Sequence, residues 1–112
     1  IWSNKELIGV IGLHYLDLVN KTTSIGYYLA EDFQKKGIMT KCTKALIRYV
    51  YEVYDINRIE IRMSTKNKKS RAIPIRLGFT QEGILRSNER LQGEFSDSYV
   101  FSLLREECTY TR

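Results

Sequence analysis

The sequence predicts an α/β domain built on a mixed sheet with a parallel β-α-β crossover at its centre. Three observations predict it: an apolar, β-rich stretch that returns on itself near the start, a long amphipathic segment, and a strictly alternating strand directly after that segment. A helix between two strands is the usual way to join neighbours that run in the same direction.

The elements follow in order. Residues 1–3 read as the tail of an earlier strand. Residues 7–16 are apolar and β-rich, which predicts a strand. Residues 17–21 read as a turn, with Asn20 supplying the turn chemistry. Thr22–Leu29 is β-branched and aromatic and predicts the returning strand of a hairpin. Ile38, Cys42, Ala45, Leu46, Tyr49 and Val53 recur at three- and four-residue steps, so they predict the buried stripe of a long helix. Lys41, Lys44 and Arg48 mark its wet face. In Arg58–Ser64 the residues Ile59, Ile61 and Met63 alternate with Arg58, Glu60 and Arg62, a strand with one apolar and one exposed, charged face. Residues 68–77 predict a short helix stopped by Gly78, and residues 80–104 predict two strands joined around Gly93.

Composition bounds the function. A chain of 112 residues is a single domain, and 43% hydrophobic with 28% charged residues fits a packed globular fold. No apolar run reaches the ~18 residues of a membrane span, and no signal peptide is visible. The chain opens at Ile1, which reads as a piece of a longer protein. Two distant cysteines, Cys42 and Cys108, form neither a disulfide framework nor a zinc motif, and a cytoplasmic setting is the default. His14 is the single histidine, which argues against imidazole-rich metal sites; no metal is expected. A net charge of +5 suits an anionic ligand but indicates nucleic acid only weakly.

The informative segment is Gln34-Lys35-Lys36-Gly37-Ile38-Met39-Thr40, between a strand and the start of the long helix. Unpaired N–H groups and the positive end of the helix dipole lie there, and a glycine lets the backbone approach an anion closely. Two lysines add charge at the same place. The chemistry expected is binding of a pyrophosphate. The segment is neither a P-loop nor a Rossmann fingerprint.

Further on, Asn67-Lys68-Lys69-Ser70-Arg71-Ala72-Ile73-Pro74 leads into Arg76-Leu77-Gly78-Phe79. With the loop, this resembles the signature of the Gcn5-related N-acetyltransferases (GNAT superfamily): Gln/Arg-x-x-Gly-x-Gly/Ala before the long helix, an Asn in the next strand-helix junction, then Leu-Gly-Phe. Asn67-x-x-Ser70-x-Ala72, the closing Ser102-Leu103-Leu104, and the strand patterns Ile8-Gly9 and Ile25-Gly26-Tyr27 are most similar to the branch that acetylates N-termini of ribosomal proteins. The resemblance covers residues 1–107. It implies a mostly antiparallel central sheet with a parallel β-α-β core and flanking helices, lacking the family's first strand and first two helices.

The resemblance also implies chemistry: acetyl transfer from the co-substrate acetyl-CoA to an amine, with residues 1–112 as one truncated acetyl-CoA-binding domain. Gln34, Lys35, Lys36, Gly37, Ile38, Met39 and Thr40 would hold the pyrophosphate and Asn67 the pantetheine arm. A backbone N–H near Tyr28 and Leu29, aimed by an adjacent β-bulge, would face the thioester oxygen. Two positions depart from the family pattern. Met39 replaces a small residue, and Pro74 stands where many members carry the tyrosine that protonates the thiolate. Ser70 is then the candidate partner of the thiolate, its plain alternative being a helix cap. Glu89, in the loop after a strand of residues 80–88, is the candidate general base. Lys66, Lys68, Lys69 and Arg71 form a basic run that would meet the 3′-phosphate or an RNA backbone, or simply a solvated face. The acceptor is expected to be a protein N-terminus, with a small polyamine or aminoglycoside as the alternative. A non-catalytic acyl-CoA-binding module and an RNA-binding module are the readings from other classes. A homodimer is compatible with the sequence, and no membrane partner is indicated.

Overall fold

A computed structural model describes residues 2–3, 6–7, 9–29 and 37–110. A short ribbon comes first, β1 (Trp2–Ser3) paired antiparallel with β2 (Glu6–Leu7). The main sheet holds β3 (Gly9–Asp17), β4 (Thr22–Leu29), β5 (Arg58–Ser64), β6 (Thr80–Leu91) and β7 (Glu94–Leu104), in the order β3-β4-β5-β7-β6. Helix α1 (Ile38–Val53) links β4 to β5, and α2 (Lys68–Arg76) links β5 to β6. The β4–β5 pair is parallel and every other pair antiparallel, so the crossover sits at the centre as predicted. Of the single strand expected over residues 7–16, Leu7 falls in β2 and residues 9–16 in β3, while Ile8 lies outside the described residues.

The β3–β4 turn is organised by Asp17 more than by Asn20. The Asp17 carboxylate accepts the backbone N–H of Val19 and of Asn20, each at 3.0 Å, and the Asn20 side-chain amide at 2.9 Å. Lys21 completes the turn at φ 58.

The sequence placed the buried stripe of α1 one step around the helix from where it lies. Met39, Thr43, Ile47, Val50 and Tyr51 are the buried residues, while Tyr49 and Val53 are more than half exposed. Both stripes are apolar, and a threonine interrupts the correct one. Tyr51 decides the matter: its ring fills the core and its hydroxyl donates to the Leu103 carbonyl, so the polar tip is satisfied inside. Lys41, Lys44 and Arg48 are exposed, as predicted.

Alternation in β5 sends Ile59, Ile61 and Met63 onto Ile25, Ile47, Val50, Phe101 and Leu103, forming the core between the sheet and the two helices. The opposite side of β5 was expected to be exposed and charged. It is instead tied down. Glu60 is only 8% exposed, accepts the Tyr15 hydroxyl at 2.9 Å and Arg62 at 3.3 Å, and has Arg58 at 3.5 Å. Ser64, Ser98 and Ser102, buried on neighbouring positions, continue a polar surface there. A carboxylate withdrawn from water needs such partners.

Candidate functional site

Strands β4 and β5 pair over Thr22–Ile25 and Arg58–Ile61 and then separate. Both continue, β4 to Leu29 and β5 to Ser64. Past Ile25 the backbone groups of β4 that turn away from β3 face a crevice instead of a strand. It lies at the carboxyl ends of parallel strands, where open α/β sheets bind ligands. A helix begins on each side, α1 after β4 and α2 after β5, so two sets of unpaired N–H groups flank it.

Gly37 is the N-cap of α1, at φ 68 in the left-handed region, and its carbonyl accepts the Lys41 N–H at 3.2 Å. A Cβ there would meet open space, so the approach to these N–H groups is clear among the described residues. Met39 occupies the position where the resemblance calls for a small residue. Its side chain is 2% exposed and packs on Ile11, Tyr27, Ile38 and Ile73. Ile38 and Thr40 are half-buried beside it. Gln34, Lys35 and Lys36 lie outside the described residues.

On the other side Asn67 caps α2, its side-chain oxygen accepting the Ser70 N–H at 3.3 Å, while its own N–H donates to the Ser64 carbonyl at 2.9 Å. The cap is therefore Asn67 and not Ser70, which frees the Ser70 hydroxyl from that task. Pro74 lies within α2 and is buried. The Tyr27 hydroxyl donates to the Ser70 carbonyl at 3.0 Å. Burial pushes the Tyr27 phenol well above its ordinary range, which keeps it a donor. Sequence reasoning passed over Tyr27; the proline four residues after Ser70 was the available signal.

Other candidates fall as follows. Tyr28 and Leu29 pair regularly with Val10 and Gly9, so among the described residues the bulge expected beside them is not found. The irregularity lies between Leu13 and Tyr15 of β3, where His14 interrupts the register. The His14 ring covers Gly26, one residue past the last parallel pair: a Cβ on Gly26 would fall 1.9 Å from Nε2. Glu89 is not in a loop, because β6 runs on to Leu91; it stands exposed opposite Ser96, whose Oγ is 2.6 Å from the Oγ of Ser64 at the end of β5. Asn67, Ser70 and Glu89 thus come to the same end of the sheet. From the basic run, Arg71 binds Gln81 at 3.0 Å and stacks over the Tyr99 ring, and Lys66 faces Glu94 at 3.7 Å. Among the described residues no group of three or more His, Cys, Asp or Glu is placed to hold a metal, and no helix is long and apolar enough to cross a membrane.

Comparison with known proteins identifies the family. YdaF of Bacillus subtilis (strain 168), provisionally named a ribosomal N-acetyltransferase, is 43% identical over 102 residues, 91% of this chain and 56% of its own length. The chain thus spans little more than half of that relative. Two solved structures superpose well. RimL, the ribosomal L7/L12 α-N-protein acetyltransferase in complex with coenzyme A, gives a TM-score of 0.83 at 33% identity, over 89% of this chain and 56% of its own. The microcin C7 self-immunity acetyltransferase MccE, in complex with acetyl-CoA and AMP, gives 0.82 at 38% identity, over 88% and 55%. The acetyltransferase (GNAT) domain model matches residues 1–80, and the chain belongs to that family.

Proposed function

We propose that the protein transfers the acetyl group of acetyl-CoA to an amine, and that the acceptor is the N-terminal α-amine of a ribosomal or other protein. One observation carries the reading: the crevice where β4 and β5 part, with the Gly37 N-cap on one side and Asn67 and Ser70 on the other. The likeness to RimL and MccE, with coenzyme A and acetyl-CoA in those structures, supports the co-substrate. On this reading residues 1–112 act as one acetyl-CoA-binding domain of a cytoplasmic enzyme.

The chemistry distributes over the residues as follows. The N–H groups at the start of α1, after Gly37, take the pyrophosphate, with Gln34, Lys35 and Lys36 supplying charge and hydrogen bonds. Asn67 is engaged as a cap, so its contact with the pantetheine arm is made by whatever its side chain has left to offer. The amine must lose a proton before its lone pair attacks the thioester carbon; Glu89 accepts that proton, directly or through water. The oxyanion is held by a β4 N–H near Tyr28 and Leu29. The C–S bond then breaks, and the Ser70 hydroxyl hydrogen-bonds the departing thiolate, which takes a proton relayed from water. Pro74 cannot supply that proton.

A small-molecule amine is the second reading, suggested by the likeness to the microcin C7 self-immunity acetyltransferase, whose structure holds AMP beside acetyl-CoA. Intact-mass spectrometry separates them. The full-length protein is incubated with acetyl-CoA and peptides bearing a free or a blocked N-terminus, and in parallel with small polyamines. Acetylation of the free-N-terminus peptides alone is the expected result; modification of the polyamines alone would overturn the acceptor, and no product with any amine would overturn the activity.

A further inference from the structure

We propose that Tyr27 is the positioning residue of the crevice, holding Ser70 in place through a carbonyl that Pro74 has released from the helix; this rests on the acetyltransfer reading for its catalytic consequence. In α2 the Ser70 carbonyl would ordinarily accept the N–H of the residue four positions on. That residue is Pro74, which has no N–H, and whose ring crowds the same carbonyl. The acceptor is therefore left over within the helix, in a partly buried place where an unmet carbonyl is costly.

Its partner comes from another element. Tyr27 lies on β4 two residues beyond the last parallel pair, Ile25 with Ile61, in the segment that has parted from β5. Its hydroxyl crosses to the Ser70 carbonyl at 3.0 Å. Its ring meanwhile packs on Met39 of α1, the side chain on which Ile11 of β3 and Ile73 of α2 also pack. One side chain thus touches both helices that begin at the crevice.

The consequence falls on Ser70. Its N–H is held by the Asn67 side chain and its carbonyl by Tyr27, so both backbone groups are fixed by partners outside the helix ladder. The Cα–Cβ direction, and with it the reach of the hydroxyl, is set by these two bonds. A hydroxyl that must meet a thiolate within hydrogen-bond distance gains from such fixing.

The test is a cycle of variants in the full-length protein. Tyr27→Phe keeps the ring and removes the donor. Pro74→Ala gives the helix back its own N–H for the same carbonyl. Tyr27→Phe should lower kcat roughly five- to tenfold, the worth of one hydrogen bond, with the KM for acetyl-CoA within about twofold. Amide exchange in the first turn of α2 should speed up. Pro74→Ala alone should stay near wild type, and the double variant should recover most of the loss in both readouts. Wild-type kcat in Tyr27→Phe would overturn the proposal, even with a loosened α2, because the bond would then be structural only. A double variant as slow as Tyr27→Phe would overturn it equally. If the wild type transfers no acetyl group, the acetyltransferase reading fails separately; the exchange cycle then upholds the Tyr27–Ser70 coupling if the second change restores protection, and overturns it if not.

Discussion

Replacing Gly37 by asparagine separates two roles that a glycine at a ligand site usually confounds. Gly37 holds φ 68, and a side chain added there would meet no described atom. The stability cost of a substitution is then backbone strain alone. For valine, β-branched and forced into the left-handed region, that strain is about 1–2 kcal/mol or more. Asparagine tolerates the region and should cost only about half a kcal/mol. At roughly 4–8 °C per kcal/mol for a domain of this size, the asparagine variant should melt within a few degrees of wild type and the valine variant clearly lower. Acetyl-CoA at about a hundred times its Kd adds about 2.7 kcal/mol to the folded state, an upward shift on the order of 10 °C. Both variants put a side chain where pyrophosphate oxygens would lie against the N–H groups of α1, so both should lose most of that shift. Thermal melts with and without acetyl-CoA read both effects. A Gly37→Asn protein that melts normally and keeps its full ligand shift would refute the placement of the pyrophosphate.

The remaining predictions concern proton transfers and acid stability. Ser70→Ala should lower kcat by ten- to a hundredfold, on the order of the lower end for a positioned catalytic group, while the acetyl-CoA thermal shift stays; Glu89→Gln should lower kcat/KM most at low pH, where an ammonium must be stripped. Steady-state pH profiles check both, and unchanged profiles would move the proton transfers to other groups. Backbone N–H donation, chiefly from Asn20, holds the Asp17 carboxyl below its ordinary value, and the Arg58 guanidinium does the same for Glu82. A depressed carboxylate contributes its stability above its unfolded-state pKa and loses it as pH falls through the lower folded value. Denaturant melts should therefore weaken progressively below about pH 4, and Asp17→Asn should flatten that limb; an identical acid limb in the variant would count against the turn's contribution.

Much of the fold was legible because its signals are local. The strict alternation of Ile59, Ile61 and Met63 fixes one face of β5, and Gly37 and Gly78 mark where a helix begins and where one ends. What misled was ambiguity at the same scale. Helix α1 offers two apolar stripes, and only the ring of Tyr51 reaching the Leu103 carbonyl tells which is inside. Glu60 looks solvent-facing in a pattern of alternation, yet Tyr15, 45 positions away, and the flanking arginines make its burial tolerable. At the crevice, Asn67 was expected at the pantetheine arm and its capping of α2 was not read from the sequence, whereas Glu89 was assigned to a loop although the β6 strand continues past a register shift. Tyr27 was invisible because its role depends on a missing N–H in a helix 47 residues further on, counted from Tyr27 to Pro74.

The irregular pairings have a consequence beyond the crevice. Register shifts occur where β3 meets β4 and twice where β6 meets β7, while the β4–β5 and β5–β7 ladders run without one. Of the kinked strands, β6 forms an outer edge of the five-stranded sheet. A straight rim displays a row of free amides and carbonyls that another chain can copy onto, the first step toward fibres or swapped partners. Bulges break that row and twist it away from a would-be visitor. At the outer strand β6 the shifts fall between Gln81 and Gly83 and between Leu85 and Glu89, which leaves only three residues of uninterrupted template between them. The exposed Ile84 sits in that gap, where the template is too short for another strand to pair along it.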